Sequence, residues 1–124
     1  MAELNHTIVA ARDARASATF LSEVMGLPAP VSIPPFLEVK TPNGVGLDFL
    51  EAQPDEEIHA QHYAFLVTED EFDEIFGRIV ERGLTYWADP HKQQPMEIGT
   101  DHGRGVYFDD PSGHLLEILT IPYA

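Results

Sequence analysis

The stretch PSGHLLEIL (residues 111–119) puts a glutamate, Glu117, in the middle of an otherwise apolar run. A carboxylate among leucines and isoleucines is costly unless something compensates its charge. The same pattern stands earlier in the chain. PNGVGLDFL (residues 42–50) superimposes on it without gaps: Pro42 on Pro111, Gly44 on Gly113, Leu47 on Leu116 and Leu50 on Leu119. The acid Asp48 lands on Glu117. Two copies of one unit, each with an acid in the same odd place, mark an internal duplication, which has to be settled before any local reading.

Working outward, LNHTIVAA (4–11) is short, β-branched and apolar, and predicts a strand. Asp13 caps a helix whose Ser17, Phe20, Leu21, Val24 and Met25 recur at helical spacing, with Gly26 as its stop. The proline-dotted LPAPVSIPP (27–35) allows at most an edge strand. FLEVKTPNGVGLDFLE (36–51) is a hairpin turning at Asn43-Gly44. The second half repeats this order. QHYAFLV (61–67) is a strand. EDEFDEIFGRIVERG (69–83) is an amphipathic helix with Phe72, Ile75, Phe76, Ile79 and Val80 on one face, ending near Gly83. LTYWA (84–88) is a short strand, and RGVYFDDPSGHLLEILTI (104–121) is the second hairpin. The expected organisation is one domain over 1–124, with module one at 4–52, a connector at 53–59 and module two at 60–122. Each module is a strand and a helix followed by mainly antiparallel strands, an α+β arrangement.

The repeat therefore marks four positions. His6 opens the first strand of one module and His62 that of the other, while Asp48 and Glu117 lie in the closing strands. The segment DPHKQQPMEIGTDHG (89–103) interrupts module two without regular periodicity, as functional or disordered loops do.

Composition sets the frame for these four residues. At 124 residues the chain is long enough for one real core. Its 21 acidic against 7 basic residues give a formal net charge of −14, with no basic stripe to neutralise phosphates, so nucleic acid is not expected as a partner. The absence of cysteine excludes disulfides and thiolate chemistry. The start, MAELNHTIVAARD, lacks the pattern of a signal peptide, and no apolar stretch approaches membrane-spanning length. A cytoplasmic location without a membrane partner is the expectation.

Taken singly, a histidine at a strand start or an acid in a strand is most simply a hydrogen-bonded or solvent-facing residue. Taken together the four read differently. Alternate strand residues share a face, so His6 goes with Leu4 and Ile8, Asp48 with Gly46 and Leu50, and Glu117 with Leu115 and Leu119. These are not the neighbours of a solvent face. Two carboxylates and two imidazoles converging there call for a cation. Such ligands suit Zn, Fe, Mn, Ni or Co rather than Ca.

LNHTIVAARD, QHYAFLVTED and above all RGVYFDDPSGHLLEIL resemble the vicinal oxygen chelate superfamily, the group of glyoxalase I, bleomycin resistance proteins and extradiol dioxygenases. The resemblance covers nearly the whole chain and is most specific in YFDDPSGHLLEI. It implies two βαβββ modules forming an eight-stranded, cup-shaped mixed sheet around one divalent metal per site, held at His6, Asp48, His62 and Glu117. It further implies a small oxygen-chelating substrate, a homodimer, and proton abstraction next to a carbonyl in isomerase- or lyase-type members, with Glu117 as the base and Asp48 as second choice. Relatives of bacterial glyoxalase I place an arginine and an asparagine where this chain has Ala10 and Ala52, which speaks against glutathione-dependent glyoxalase activity. Arg12 is no evident substitute. Ring-cleaving dioxygenases are the alternative: they use two histidines and one carboxylate and carry a tyrosine where Tyr107 stands. A non-catalytic small-molecule binder of the resistance type is a further alternative. For it, Trp87, Tyr63, Tyr107 and Phe36 offer stacking surface, although Phe36 reads better as core. His102 and Arg104 border the expected cup mouth as substrate contacts. His114 reads as a local hairpin residue, and His59 and His91 as exposed.

Overall fold

The computed structural model describes residues 1–123. The chain is α+β and follows the βαβββ plan in two compact units that divide at 59/60, with seven strands among the described residues where eight are expected: four in unit one and three in unit two.

In unit one, β1 (His6–Ala11) runs into α1 (Ala14–Met25). The Asp13 side chain accepts from the Ala16 N–H at 3.0 Å and so satisfies one of the open donors of the first helical turn. Gly26 ends the helix in the left-handed region, at φ 68°. The strands β2 (Val31–Ile33), β3 (Phe36–Lys40) and β4 (Gly46–Glu51) follow, and the sheet order is β1-β4-β3-β2. β4 is thus interior, parallel to β1 and antiparallel to β3. The proline-rich segment supplies only the three-residue edge strand β2, as its missing N–H donors dictate. One sheet face, with Val9, Ala11, Val39, Leu47 and Phe49, is buried with Ala18, Leu21 and Val24 of α1. The opposite face carries His6, Ile8, Glu38 and Asp48.

Unit two repeats the plan. β5 (His62–Leu66) leads to α2 (Glu69–Glu81), then β6 (Gly105–Asp109) and β7 (Leu115–Leu119), in the order β5-β7-β6. Thr68 and Glu71 close a reciprocal cap on α2, with bonds of 3.1 and 2.8 Å. The core holds Phe72, Ile75, Ile79, Val106, Phe108, Leu116 and Ile118. Val80, grouped with this face on spacing, is instead 53% exposed, because it lies at the margin of a stripe that Phe72, Ile75 and Ile79 already fill. The expected strand at 84–88 contracts to isolated pairing at Trp87, whose N–H and C=O bond Tyr107 at 2.9 and 2.8 Å. Among the described residues no helix is long and apolar enough to cross a membrane.

Phe72, fully buried, and Val80, half-exposed, give the packing a direct test. Phe72→Ala is expected to cost roughly 3–5 kcal/mol through lost transfer energy and an unfilled cavity. Val80→Ala should stay within about 0.5 kcal/mol. Denaturant unfolding followed by circular dichroism measures both.

Candidate functional site

In unit one the interior strand carries the problem. Asp48 is 8% exposed, and among the described residues its Oδ1 has no hydrogen-bond partner. The register sets Ile8 on one side of it and Glu38 on the other. Glu38 and Asp48 stand opposite each other across β3 and β4, and the neighbouring Asp48 carboxyl raises the pKa of Glu38 first, followed by burial and the charge of Asp48. Lys40 stands 3.8 Å from Glu38 and offsets this only in part. Gly46 makes the arrangement fit: a side chain there would meet the Glu38 carboxylate at 2.5 Å. His6 donates from Nδ1 to Asn5 Oδ1 at 2.7 Å, which in the neutral ring leaves the Nε2 lone pair for a ligand. Glu38 was missed on sequence. Its signal is the hairpin itself, because Glu38 and Asp48 are equidistant from Asn43 at the turn.

In unit two the acid is answered by donors. Glu117 is 2% exposed, opposite Tyr107 on one neighbour and Ala64 on the other. His62 Nε2 lies 2.9 Å from its Oε1. Tyr123 donates to its Oε2 at 2.5 Å, and the Tyr107 hydroxyl stands 2.9 Å from that of Tyr123. Since the Tyr123 proton points to Glu117, Tyr107 is the donor in the second bond. The His102 ring lies against Tyr123 at a tilt of 38°, with centroids 4.2 Å apart. Burial, the Tyr123 bond and the nearby charge of Glu117 push the Tyr107 hydroxyl above the usual phenol range, so it acts as a neutral donor. Glu117, Tyr107, Tyr123 and His102 wall a cavity of about 640 Å³ together with Gln94, Glu97 and Ile98. Nothing in the sequence pattern singled out Tyr123, which lies beyond the last periodic strand.

Three expected substrate contacts lie elsewhere. Tyr63 takes the face opposite His62, as strand alternation requires, and sits edge-on to His114 with ring centroids 5.8 Å apart. Arg104 is spent on α2: it donates to Glu69 Oε1 at 2.9 Å and Asp73 Oδ1 at 2.8 Å and lies over the Phe72 ring. Lys92 covers the Trp87 ring, 4.7 Å from its centroid, and the neighbouring Ala88 is what reaches the cavity wall. Arg12 binds carbonyl groups of the connector at Gln53, Pro54 and Glu56. The His114 backbone closes the hairpin turn, accepting from the Asp110 N–H at 2.9 Å and donating to Asp110 Oδ1 at 2.8 Å, while its buried ring reaches beyond the hairpin to accept from the Gln61 N–H at 2.9 Å. Of the expected metal ligands, then, His62 and Glu117 are in contact, and His6 and Asp48 share one face of their own sheet. Among the described residues no group of three or more His, Asp or Glu side chains stands assembled as a metal centre.

The family model described as Glyoxalase/Bleomycin resistance protein/Dioxygenase superfamily matches residues 3–118. The chain belongs to that superfamily. Within it, the chain is 57% identical to the solved structure of Oxidase ChaP-H2, over 99% of this chain and 96% of that one, with a TM-score of 0.95. It is 56% identical to Oxidase ChaP-H1, over 100% and 99% of the two chains, with a TM-score of 0.96. Glutathione transferase FosA of Serratia marcescens is 33% identical, over 93% of this chain and 78% of that protein. These superfamily relatives are enzymes by name, and their names cover different reactions.

The carboxyl pair of unit one yields a pH signature. Glu38 holds its proton more tightly in the folded chain than in the unfolded one. The stability this contributes is present at low pH and is lost as pH rises through the raised value. Glu38→Gln is therefore expected to unfold at a higher temperature than the parent at pH 8 and to converge with it near pH 4, both in chelator-treated protein. Thermal melts across that range check it.

Proposed function

We propose that this protein is a divalent-metal-dependent oxidase acting on a small molecule that presents two neighbouring oxygen atoms. The observation that carries the reading is the buried Glu117 carboxylate, which lies 2.9 Å from His62 and borders a cavity of ligand size. The identity of 56–57% with two oxidases along the whole chain supports the choice of reaction.

The donor chemistry fits a divalent ion. An orphaned buried carboxylate oxygen on Asp48, a carboxyl pair wanting a cation and an imidazole–carboxylate pair are what such an ion relieves. His6 and Asp48 in unit one and His62 and Glu117 in unit two are the residues that would serve as ligands, and such an ion when bound supplies Lewis-acid and one-electron chemistry with dioxygen as the oxidant. The remaining steps belong to side chains. Tyr107, a neutral phenol, donates a hydrogen bond to a substrate oxygen and so stabilises negative charge developing there. Glu117 accepts the proton that the substrate gives up when it leaves His62. His102 offers a ring face to the bound molecule. A second reading, proton abstraction next to a carbonyl by Glu117 in an isomerase or lyase, is favoured by the burial of that carboxylate in an apolar strand. Homodimerisation belongs to the same proposal and is checked by light scattering.

Purified protein is expected to carry about one divalent ion per chain, and His62→Ala or Glu117→Ala to lower metal affinity by at least about tenfold. Elemental analysis and metal titration read this. An oxygen electrode with catechols and ortho-hydroxy carbonyl compounds is expected to show chelator-sensitive oxygen uptake. Metal-dependent turnover without oxygen uptake would establish the isomerase or lyase reading instead. Failure to take up metal under any condition would overturn both.

A further inference from the structure

The segment after β7 is anchored and then released. The Thr120 N–H bonds the Arg104 carbonyl at 3.0 Å, Arg104 N–H bonds Thr120 Oγ1 at 2.9 Å, and Ile121 N–H bonds the His102 carbonyl at 3.3 Å. Gly103 lets these strands of chain cross closely: its φ is +64°, and a side chain there would run into Thr120 and Ile121. Pro122 follows and has no N–H to continue a ladder. Tyr123 is then placed by its side chain.

That side chain is more than half exposed, so burial contributes little to its position. Its hydroxyl nevertheless reaches Glu117, one of the most buried carboxylates of the protein, in a short charge-assisted bond of 2.5 Å. The same oxygen accepts from Tyr107 at 2.9 Å, and the ring lies against His102. An acceptor, a donor and an aromatic face converge on one phenol. The cavity extends past it to walls at Gln94, Glu97 and Ile98 and, at about 640 Å³, holds a molecule much larger than one ring. Glu117, Glu97, Asp89 and Asp101 all border this cavity, so an anionic ligand would be repelled while a neutral aryl hydroxyl would not.

We propose that this cavity is a binding site for phenolic ligands and that Tyr123 is its resident occupant. An incoming aryl hydroxyl takes the place of the Tyr123 hydroxyl on Glu117 and Tyr107, and the 122–123 segment moves aside. As a statement of the oxidase's substrate class this rests on the proposed function. As a statement about binding it requires neither metal nor turnover.

The test uses p-cresol, the tyrosine side chain as a free molecule, with the full chain in chelator. Isothermal titration and NMR shifts of the His102 and Tyr107 rings report occupancy. A resident occupant lowers the apparent affinity by the fraction of open sites, so Tyr123→Ala is expected to bind p-cresol at one saturable site at least roughly tenfold more tightly than the parent. Tyr123→Phe, which keeps the ring and drops the hydroxyl, should fall between them. 4-Methylanisole, which has no proton to donate, should not bind, and Glu117→Gln in the Tyr123→Ala background should weaken p-cresol by a similar factor. Equal p-cresol affinity in parent and Tyr123→Ala, no saturable site in either, or 4-methylanisole binding as well as p-cresol would each overturn the proposal. Phenol binding in a protein that consumes no oxygen leaves this site standing and removes the oxidase. Oxygen uptake with no exchange at Tyr123 does the reverse.

Discussion

Each half of the chain is organised around a buried carboxylate on an interior strand. Asp48 on β4 lies between β1 and β3, and Glu117 on β7 lies between β5 and β6. An edge strand would leave such an acid room to turn toward water; an interior strand gives it neighbours on both sides. The charge must therefore be met by whatever those neighbours supply.

The two units meet it in opposite ways. In unit one the acid faces another acid: the Asp48 carboxylate raises the pKa of Glu38, and among the described residues one buried oxygen of Asp48 is left without a partner. Unit two uses donors: His62 and Tyr123 take one oxygen of Glu117 each. The first arrangement is short of positive charge and the second is saturated. That asymmetry separates roles that the duplication alone would make equal. It leaves an unpartnered buried oxygen at Asp48 and a carboxylate bonded at both oxygens at Glu117.

The duplication was legible because it is written in contiguous residues, with turn glycines, leucines and acids in step between 42–50 and 111–119. Strand pairing, both helices and the shared face of His6 and Asp48 follow from that alignment and from periodicity. What escaped depends on partners brought together from outside a periodic run. Tyr123 meets Glu117 after the chain bends at Thr120 and Ile121, and no repeat marks that bend. Arg104, expected at the cup mouth, pairs with Glu69 and Asp73, which α2 presents to it. The strand expected at 84–88 has the right residues, but only Trp87 finds a ladder partner on β6. Tyr63 is different: alternation alone already assigns it to the face opposite His62, where it meets His114.

In unit one the apolar face and the acid-bearing face are opposite surfaces of a single sheet. Val39, Leu47 and Phe49 interleave along the strands with Glu38, Asp48 and Leu50, so folding and chemistry are encoded by alternate residues. Inheritance can thus rewrite one set while leaving the other untouched. A lineage built on this plan is free to drift among reactions without first losing its architecture, which is what a superfamily holding both oxidases and a glutathione transferase records.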